Sequence, residues 1–232
     1  MTVQLAKYLF LLISVHKHTF ILSFFSILLF SSLLFKKSAV ALRFVRNQFV
    51  ENGDPTVGAC FFTKRVVESG VAVKIQLWDT AGQERFRALA PMYYHGAVAA
   101  VLIYDLTVPQ SFDRVKSWAE ELARNVTDEI VLAVVGAKLD LYEAMPTAQR
   151  PAHIPRAAKA YADELGAIYA ETSAKEGKGI EPMFSELIRR VIAVKHLTPG
   201  GVTPVLPHPV GIHIQPAGPG ADDGQGGTGC KC

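Results

Sequence analysis

The sequence predicts an α/β fold in which helices cover both faces of a mainly parallel β-sheet. Two continuous apolar runs, residues 98–104 and 130–136, are too short for helices and have the composition of strands buried on both faces. Helical patterns separate these runs from each other and from a third short run, residues 167–171. Strands that alternate with helices indicate crossover connections, which join parallel strands.

A hairpin is predicted before the buried runs. Residues 60–67 and 71–78 are separated by the turn sequence ESG. In the second segment, apolar residues recur at every other position, so they share one face of a strand. These residues are Val71, Val73, Ile75 and Leu77. The alternation predicts an antiparallel pair with one face on a core.

Three amphipathic helices are predicted between and after the strands. The first covers residues 111–126 with Ser111 as its N-cap, and the second covers residues 155–166 and ends at Gly166. The third covers residues 180–193. Their core-facing stripes are Phe112, Val115, Trp118 and Leu122 in the first helix, and Ile180, Met183, Phe184, Leu187, Ile188 and Val191 in the third.

Composition divides the chain into three regions. Residues 1–36 are dominated by apolar side chains, whereas residues 37–196 mix apolar and charged positions as a globular domain does. Residues 197–232 contain 15 Gly or Pro among 36 positions, which predicts a flexible linker without a core of its own.

Charge and cysteine content exclude several classes of site. The net charge of +3 and the lack of a basic run interleaved with aromatic residues give no reason to expect a nucleic-acid partner. Cys60 stands alone in an apolar stretch, and Cys230 and Cys232 lie at the C-terminus. This spacing matches neither a disulfide framework nor a zinc site, and it predicts a cytosolic domain.

Chemically useful residues follow the predicted strands, at the carboxyl ends where sheets of this class bind ligands. After the hairpin, Asp79 suits a contact with Mg²⁺, directly or through water. Gly82 allows a backbone N–H to approach a terminal phosphate, and Gln83 is suited to orient a water molecule.

Two further strand ends carry residues suited to a purine base. Lys138 and Asp140 follow the run 130–136, where a carboxylate is able to accept two N–H donors from a purine edge. The polar loop of residues 171–175 follows the last strand and is placed to close over the same base. Three strand ends are therefore predicted to converge on one nucleotide.

Four motifs occur in the order and spacing of the Ras-like small GTPases. They are DPTVGACF at residues 54–61, WDTAGQERF at 78–86, KLD at 138–140 and ETSAK at 171–175. The sequence resembles a Rab protein from about Lys37 to Lys195, and residues 42–49 and 78–97 resemble the early-endosomal branch of that family. The resemblance implies a six-stranded P-loop small GTPase fold with Mg²⁺ as cofactor and GTP or GDP as ligand.

The resemblance assigns the phosphate-side roles to five residues. Lys37 would reach the β- and γ-phosphates. Ser38 and Thr56 would hold Mg²⁺ through their hydroxyls, and Asp79 would support the ion. Gln83 would position the attacking water as the catalytic residue.

The resemblance also implies a base pocket. Lys138 would lie along the guanine plane, and Asp140 would accept hydrogen bonds from the guanine N–H groups. Ser173, Ala174 and Lys175 would complete the pocket.

A membrane-bound switch follows from the same resemblance. Thr56 would belong to switch I and residues 82–96 to switch II, both ordered by the γ-phosphate. Cys230 and Cys232 resemble a double geranylgeranylation signal, and two lipid chains give stable anchoring. Expected partners are an exchange factor, a GTPase-activating protein, effectors and prenylation escort proteins, at the cytoplasmic face of endosomal membranes.

Three positions depart from the family pattern. The phosphate-loop pattern G-x-x-x-x-G-K-S requires glycine where this chain has Ser31 and Lys36, and side chains forced to positive φ there cost about 1–2 kcal/mol each. Ala137 replaces the asparagine of the N-K-x-D pattern, which would contact the base and tie the base loop to the phosphate loop. Two functions stay open: a hydrolysing switch, or a non-catalytic interaction protein that binds nucleotide weakly.

Residues 1–36 also have three open interpretations. The apolar stretch 19–35 is just long enough for a membrane-spanning helix, and it is a possible second membrane contact. Alternatively, Ile27–Phe30 supply the first strand of the sheet. The third interpretation is mis-spliced intron or upstream sequence, because the return to the family pattern falls inside a motif, at Lys37 and Ser38.

Overall fold

The computed structural model describes residues 23–31, 36–51, 59–80, 96–126 and 129–197. Over these ranges the strands are β1 (Ser23–Ser31), β2 (Ala59–Glu68), β3 (Val71–Thr80), β4 (Ala97–Asp105), β5 (Val131–Ala137) and β6 (Ile168–Thr172). The α-helices are α1 (Lys36–Arg46), α2 (Gln110–Asn125), α3 (Leu139–Ala144), α4 (His153–Glu164) and α5 (Ile180–Val194), with a 3₁₀ turn at Thr147–Gln149.

The six strands form one sheet in the order β2-β3-β1-β4-β5-β6. Strand β2 is antiparallel to β3, whereas every other neighbouring pair is parallel. The predicted hairpin and the mainly parallel six-stranded sheet are confirmed. Ser69 (φ 51°) and Gly70 (φ 75°) join the two hairpin strands, and two consecutive left-handed residues are typical of the tight turns that match strand twist.

Helices pack on both faces of the sheet, as predicted. Ile27 and Leu29 of β1 lie in the core shared with α1 and α5, where the rings of Phe44 and Phe184 stack at 3.8 Å between centroids. Leu28 and Phe30 point to the opposite face and join the core formed with α2 and α4. Strand β1 is therefore buried on both sides, which explains the continuous apolar run from Ile27 to Phe30.

The predicted N-cap of α2 is wrong. The helix begins at Gln110, Pro109 occupies the N-cap, and Ser111 lies in the first turn. The Ser111 hydroxyl instead accepts a hydrogen bond from the backbone N–H of Asp105 at 2.8 Å and contacts the carbonyl of Val108 at 2.6 Å. Backbone groups of the connection from β4 to α2 thus bind the side chain that the sequence pattern assigned to capping. The predicted C-terminal residue Gly166 is confirmed, with a left-handed φ of 63° just beyond α4.

The N-terminal apolar segment supplies a central strand. Ser23–Ser31 pair with β3 on one side and β4 on the other, so these residues are not the spanning helix considered for 19–35. No helix in the described ranges combines the length and the apolarity needed to cross a membrane. The described sheet begins at Ser23, before the domain boundary predicted at residue 37, because β1 completes the parallel pairing.

We expect replacement of Ile27 by alanine to lower the free energy of unfolding by about 2–5 kcal/mol, because the side chain is fully buried between the sheet and two helices. Urea denaturation followed by circular dichroism measures this loss. The matched control is Val67→Thr on β2, where the side chain is 69% exposed and the expected change is within about 0.5 kcal/mol. Equal stability of the two variants would show that β1 is not part of the core.

Candidate functional site

The carboxyl ends of the parallel strands meet at one edge of the sheet. Leu29 of β1 pairs with Asp79 of β3, Asp105 of β4 pairs with Ala137 of β5, and Ala137 pairs in turn with Thr172 of β6. Those predicted nucleotide-binding residues that the structure describes lie at or soon after these strand ends. The fold therefore brings them to the edge at which sheets of this class bind ligands.

The phosphate-side pair is Ser38 and Asp79. Ser38 lies in the first turn of α1, and its hydroxyl donates a hydrogen bond of 2.5 Å to Asp79 Oδ2 across 41 residues of sequence. The Asp79 side chain is completely buried, as is nearly all of Ser38. Lys37 precedes Ser38 in the same turn of helix.

The donor set of this pair fits magnesium. A hydroxyl and a carboxylate are hard oxygen ligands of the kind that Mg²⁺ takes together with phosphate oxygens and water. In the part of the chain that the structure describes, no group of three or more His, Cys, Asp or Glu side chains gathers into a metal site. Mg²⁺ that is shared with bound phosphates usually takes only one or two protein carboxylates, so a single carboxylate beside a hydroxyl fits such an ion.

The base-side pair is Asp140 and Ser173. Asp140 lies in the first turn of α3, and its Oδ1 accepts a hydrogen bond of 2.7 Å from the Ser173 hydroxyl. Ser173 is completely buried, and its Oγ also accepts the backbone N–H of Glu176 at 3.1 Å. The carboxylate of Asp140 is therefore held in one orientation while its side chain stays partly exposed.

Lys138, two residues before Asp140, has an unusual backbone conformation. Its backbone is left-handed (φ 65°, ψ 41°) at the start of α3, and its Nζ lies 3.6 Å from Oδ2 of the buried Asp105. A left-handed residue other than glycine costs about 1–3 kcal/mol and is concentrated at functional sites. This conformation turns the chain directly from β5 into α3.

A compact loop after β6 carries Ser173, Ala174 and Lys175. It is closed by an antiparallel bridge in which the Ser173 N–H donates to the Lys178 carbonyl at 2.9 Å. The Lys178 ammonium contacts Glu143 Oε1 at 2.7 Å, and this hydrogen bond raises the pKa of Lys178. The ion pair joins the loop to α3, the helix that carries Asp140.

Arg43 of α1 holds the same loop from the other side, and the sequence analysis missed its role. Its Nε donates to the carbonyl of Ala174 at 2.6 Å, and its Nη2 donates to the carbonyl of Lys175 at 2.9 Å. Because both acceptors are backbone atoms, no pattern of side chains points to the contact. Arg43 thus connects the phosphate-side helix to the base-side loop.

A pair of tyrosines, Tyr104 buried and Tyr169 half-buried, was also missed. The hydroxyls of Tyr104 and Tyr169 lie 3.2 Å apart, and Tyr169 donates to Glu171 Oε1 at 2.7 Å. Burial raises the pKa of both phenols above the ordinary value, so both remain protonated donors. Gly136 makes room for them, since a Cβ there would lie 3.0 Å from Tyr104 Oη.

Some predicted site residues lie outside the described residues. These are Thr56, Gly82, Gln83, Cys230 and Cys232, together with nearly all of the predicted switch II. The two phosphate-loop departures are described by their backbone alone: Ser31 ends β1 and Lys36 begins α1. Ala137 is buried at the end of β5, and its methyl group offers no hydrogen-bonding atom.

Comparison with known proteins decides the family. A family model described as "Ras family" matches residues 28–193. The chain belongs to the Ras family. Human Ras-related protein Rab-22A is 43% identical over 165 residues, which cover 71% of this chain and 82% of that protein. Ras-related protein RABF2a of Arabidopsis thaliana is 39% identical over 185 residues, covering 80% and 84%.

A third relative is longer than this chain. Ras-related protein RabJ of Dictyostelium discoideum is 42% identical over 160 residues, which cover 69% of this chain but only 60% of RabJ. The predicted identification as a Rab-type small GTPase is confirmed by these matches.

We expect Gly179→Ala to destabilise the protein more than Gly96→Ala. Both glycines have positive φ (74° and 76°), so both variants carry the same backbone cost of about 1–2 kcal/mol. A Cβ at residue 179 would also lie 2.3 Å from the Glu171 carbonyl, whereas a Cβ at residue 96 meets nothing within 4 Å. Urea denaturation should show an additional loss of about 1–3 kcal/mol for Gly179→Ala. Equal losses would contradict the described packing of the base-side loop.

Proposed function

We propose that this chain is a guanine-nucleotide switch that binds GTP and GDP with Mg²⁺ and hydrolyses GTP. The observation that carries the proposal is the convergence of the Ser38–Asp79 pair and the Asp140–Ser173 pair at one edge of the sheet. One pair has the chemistry of a magnesium and phosphate site, and the other has that of a purine-edge acceptor. Membership of the Ras family supports the same conclusion.

Residues of α1 and β3 bind the phosphates in this proposal. The first turn of α1 presents its backbone N–H groups to anions, and the Lys37 ammonium adds a positive charge. Ser38 and Asp79, with Thr56, would hold Mg²⁺, which neutralises phosphate charge when bound. Asp79 keeps the Ser38 hydroxyl at the helix start by accepting its hydrogen bond.

Residues after β5 and β6 bind the base. Asp140 accepts the two N–H donors of the guanine edge, and Ser173 holds the carboxylate in place for them. The stem of Lys138 covers one face of the base. Ala174 and Lys175 close the pocket on the side that Arg43 supports.

In this proposal, hydrolysis and switching depend on residues that lie almost entirely outside the described ranges. Gln83 orients the attacking water, and Gly82 donates its N–H to the γ-phosphate. Thr56 and residues 82–96 become ordered in the GTP form and recruit effectors. Exchange factors and GTPase-activating proteins set the proportion of the two forms.

The proposed place of action is the cytoplasmic face of endosomal membranes. Prenylation of Cys230 and Cys232 provides two lipid chains, which is the number that stable anchoring requires, and escort proteins deliver the lipidated chain. Similarity to Rab-22A and to a rice protein named Rab5A supports the choice of branch. The alternative of a non-catalytic interaction protein is less well supported, because the described phosphate-side and base-side pairs are both intact.

We expect a fluorescent GDP analogue to saturate the full chain at micromolar protein, and removal of Mg²⁺ with EDTA to weaken binding. Ser38→Ala should weaken binding by at least about tenfold in Mg²⁺ and change it less in EDTA, because the variant loses one oxygen ligand of the ion. Ser117→Ala on the exposed side of α2 is the matched control and should bind as the parent does. No saturation by the parent chain would contradict the proposed function.

We also expect Asp140→Asn to change the base preference of the protein from guanine to xanthine. The asparagine keeps one acceptor oxygen, but its NH2 group donates where the second carboxylate oxygen accepts. One hydrogen bond to guanine is therefore lost and two donors face each other, so GDP binding should weaken by about a hundredfold. Xanthosine diphosphate carries a carbonyl in place of the guanine amino group and should bind the variant more tightly than GDP. Competition against the fluorescent analogue measures both, with Asp113→Asn on α2 as the control. Unchanged GDP affinity of Asp140→Asn would exclude the assigned base site.

A further inference from the structure

Arg43 makes an unusual connection between two parts of the site that are far apart in sequence. It lies in the last turns of α1, whereas its acceptors Ala174 and Lys175 are 131 and 132 residues further along the chain. Its third nitrogen, Nη1, donates to the carbonyl and the side-chain oxygen of Asn47 at 3.0 Å each. The guanidinium is planar and always charged, so these bonds fix its orientation at every physiological pH.

Packing and hydrogen bonds fix helix α1, so Arg43 has a fixed position relative to Ser38 in the first turn of the same helix. The rings of Phe44 and Phe184 stack at 3.8 Å, and Val40 and Ala41 are fully buried. The Lys64 ammonium donates to the Phe44 carbonyl at 2.7 Å. The first turn of the same helix carries Ser38, which is bonded to Asp79.

The loop on the other side is connected just as directly to the base-side carboxylate. Ser173 precedes the two carbonyls that Arg43 binds, and its hydroxyl holds Asp140 at 2.7 Å. A continuous series of hydrogen bonds and helix backbone therefore runs from Asp79 through α1 and Arg43 to Asp140. Ala137 is the last residue of β5. Its side chain is only a buried methyl group, so it adds no polar link to this series.

We propose that Arg43 is a positioning residue that locks the base-side loop of residues 173–175 to the phosphate-side helix α1. The inference rests on the proposed nucleotide-binding function and deepens it. Arg43 binds the loop through the backbone carbonyls of Ala174 and Lys175. It therefore sets guanine selectivity through the position of the loop, without itself contacting the base. Loss of the lock lets the loop, and with it the orientation of Asp140, change independently of the phosphate side.

The test compares Arg43→Met with Arg46→Met in the full chain. Both variants keep a long apolar stem and lose one positive charge on α1, but Arg46 is exposed and its guanidinium carbon lies 5.9 Å from the Phe62 ring centroid, away from the loop. We expect Arg43→Met to release fluorescent GDP at least about tenfold faster than the parent, because two charge-assisted hydrogen bonds are lost, whereas Arg46→Met should release it at the parental rate.

Base selectivity separates positioning from general destabilisation. Inosine diphosphate lacks the amino group from which Asp140 would accept a hydrogen bond. The release rate of inosine diphosphate divided by that of guanosine diphosphate therefore reports how well the carboxylate is held. We expect this ratio to fall several-fold in Arg43→Met and to stay constant in Arg46→Met. If Arg43→Met does not fold, Arg43→Lys replaces it and should show a smaller acceleration in the same direction.

Hydrogen exchange distinguishes failure of the inference from failure of the function. Peptides covering residues 170–178 contain the Ser173 and Glu176 amides, both of which are bonded within the loop. Faster exchange there in Arg43→Met, with normal GDP binding by the parent, supports the lock. Equal exchange and equal release rates in Arg43→Met and Arg46→Met overturn it. If the parent binds no GDP, the proposed function fails, and exchange alone decides whether Arg43 holds the loop.

Discussion

The rest of the structure depends on the position of β1 between β3 and β4. A parallel sheet needs its central strand to satisfy the backbone N–H and carbonyl groups of both neighbours, and Ser23–Ser31 supply that pairing. The same strand buries Ile27 and Leu29 on one face and Leu28 and Phe30 on the other. Without it, two hydrophobic cores would each lose their central layer.

The position of β1 also determines where the site forms. The strand ends at Ser31 and helix α1 begins at Lys36, so the first turn of α1 lies beside the carboxyl end of β3, where Ser38 bonds Asp79. This geometry places Ser38 against Asp79. The base-side pair forms independently, at the ends of β5 and β6, and Arg43 joins the two halves. The site is therefore an assembly of two separately held pairs on one sheet edge.

Much of this arrangement could be predicted from the sequence. The strands at 98–104 and 130–136 were recognisable because burial on both faces demands an unbroken apolar run. Asp79 and Asp140 were recognisable because they stand shortly after predicted strands, at the carboxyl ends where sheets of this class bind ligands. Assignment of Ile27–Phe30 to the sheet could not be decided in advance, since an apolar stretch has the same composition in a membrane helix and in a central strand. The choice between them depends on hydrogen-bond partners that only the fold supplies.

Other features were hidden for specific reasons. Ser111 has the residue type of a cap, but the Asp105 amide competes for its hydroxyl, and that amide is close only once β4 and α2 have packed together. Arg43 binds carbonyls, which every residue possesses, so its partners cannot be read from side chains. The contact between Tyr104 and Tyr169 depends on the relative register of β4, β5 and β6. In each case the missing information was three-dimensional geometry, which is local for Ser111 and long-range for Arg43 and the tyrosine pair.

The bare α-carbon of Gly136 limits which substitutions this edge tolerates. A methyl group there would lie 2.8 Å from Leu106 Cδ2, and Leu106 is fully buried and bonded through its N–H to the Ala137 carbonyl. Any larger residue would thus have to displace the Leu106 side chain, which follows Asp105 in the chain and packs on β5 just before Lys138. The mutational tolerance of this end of the sheet is set by a side chain that is absent.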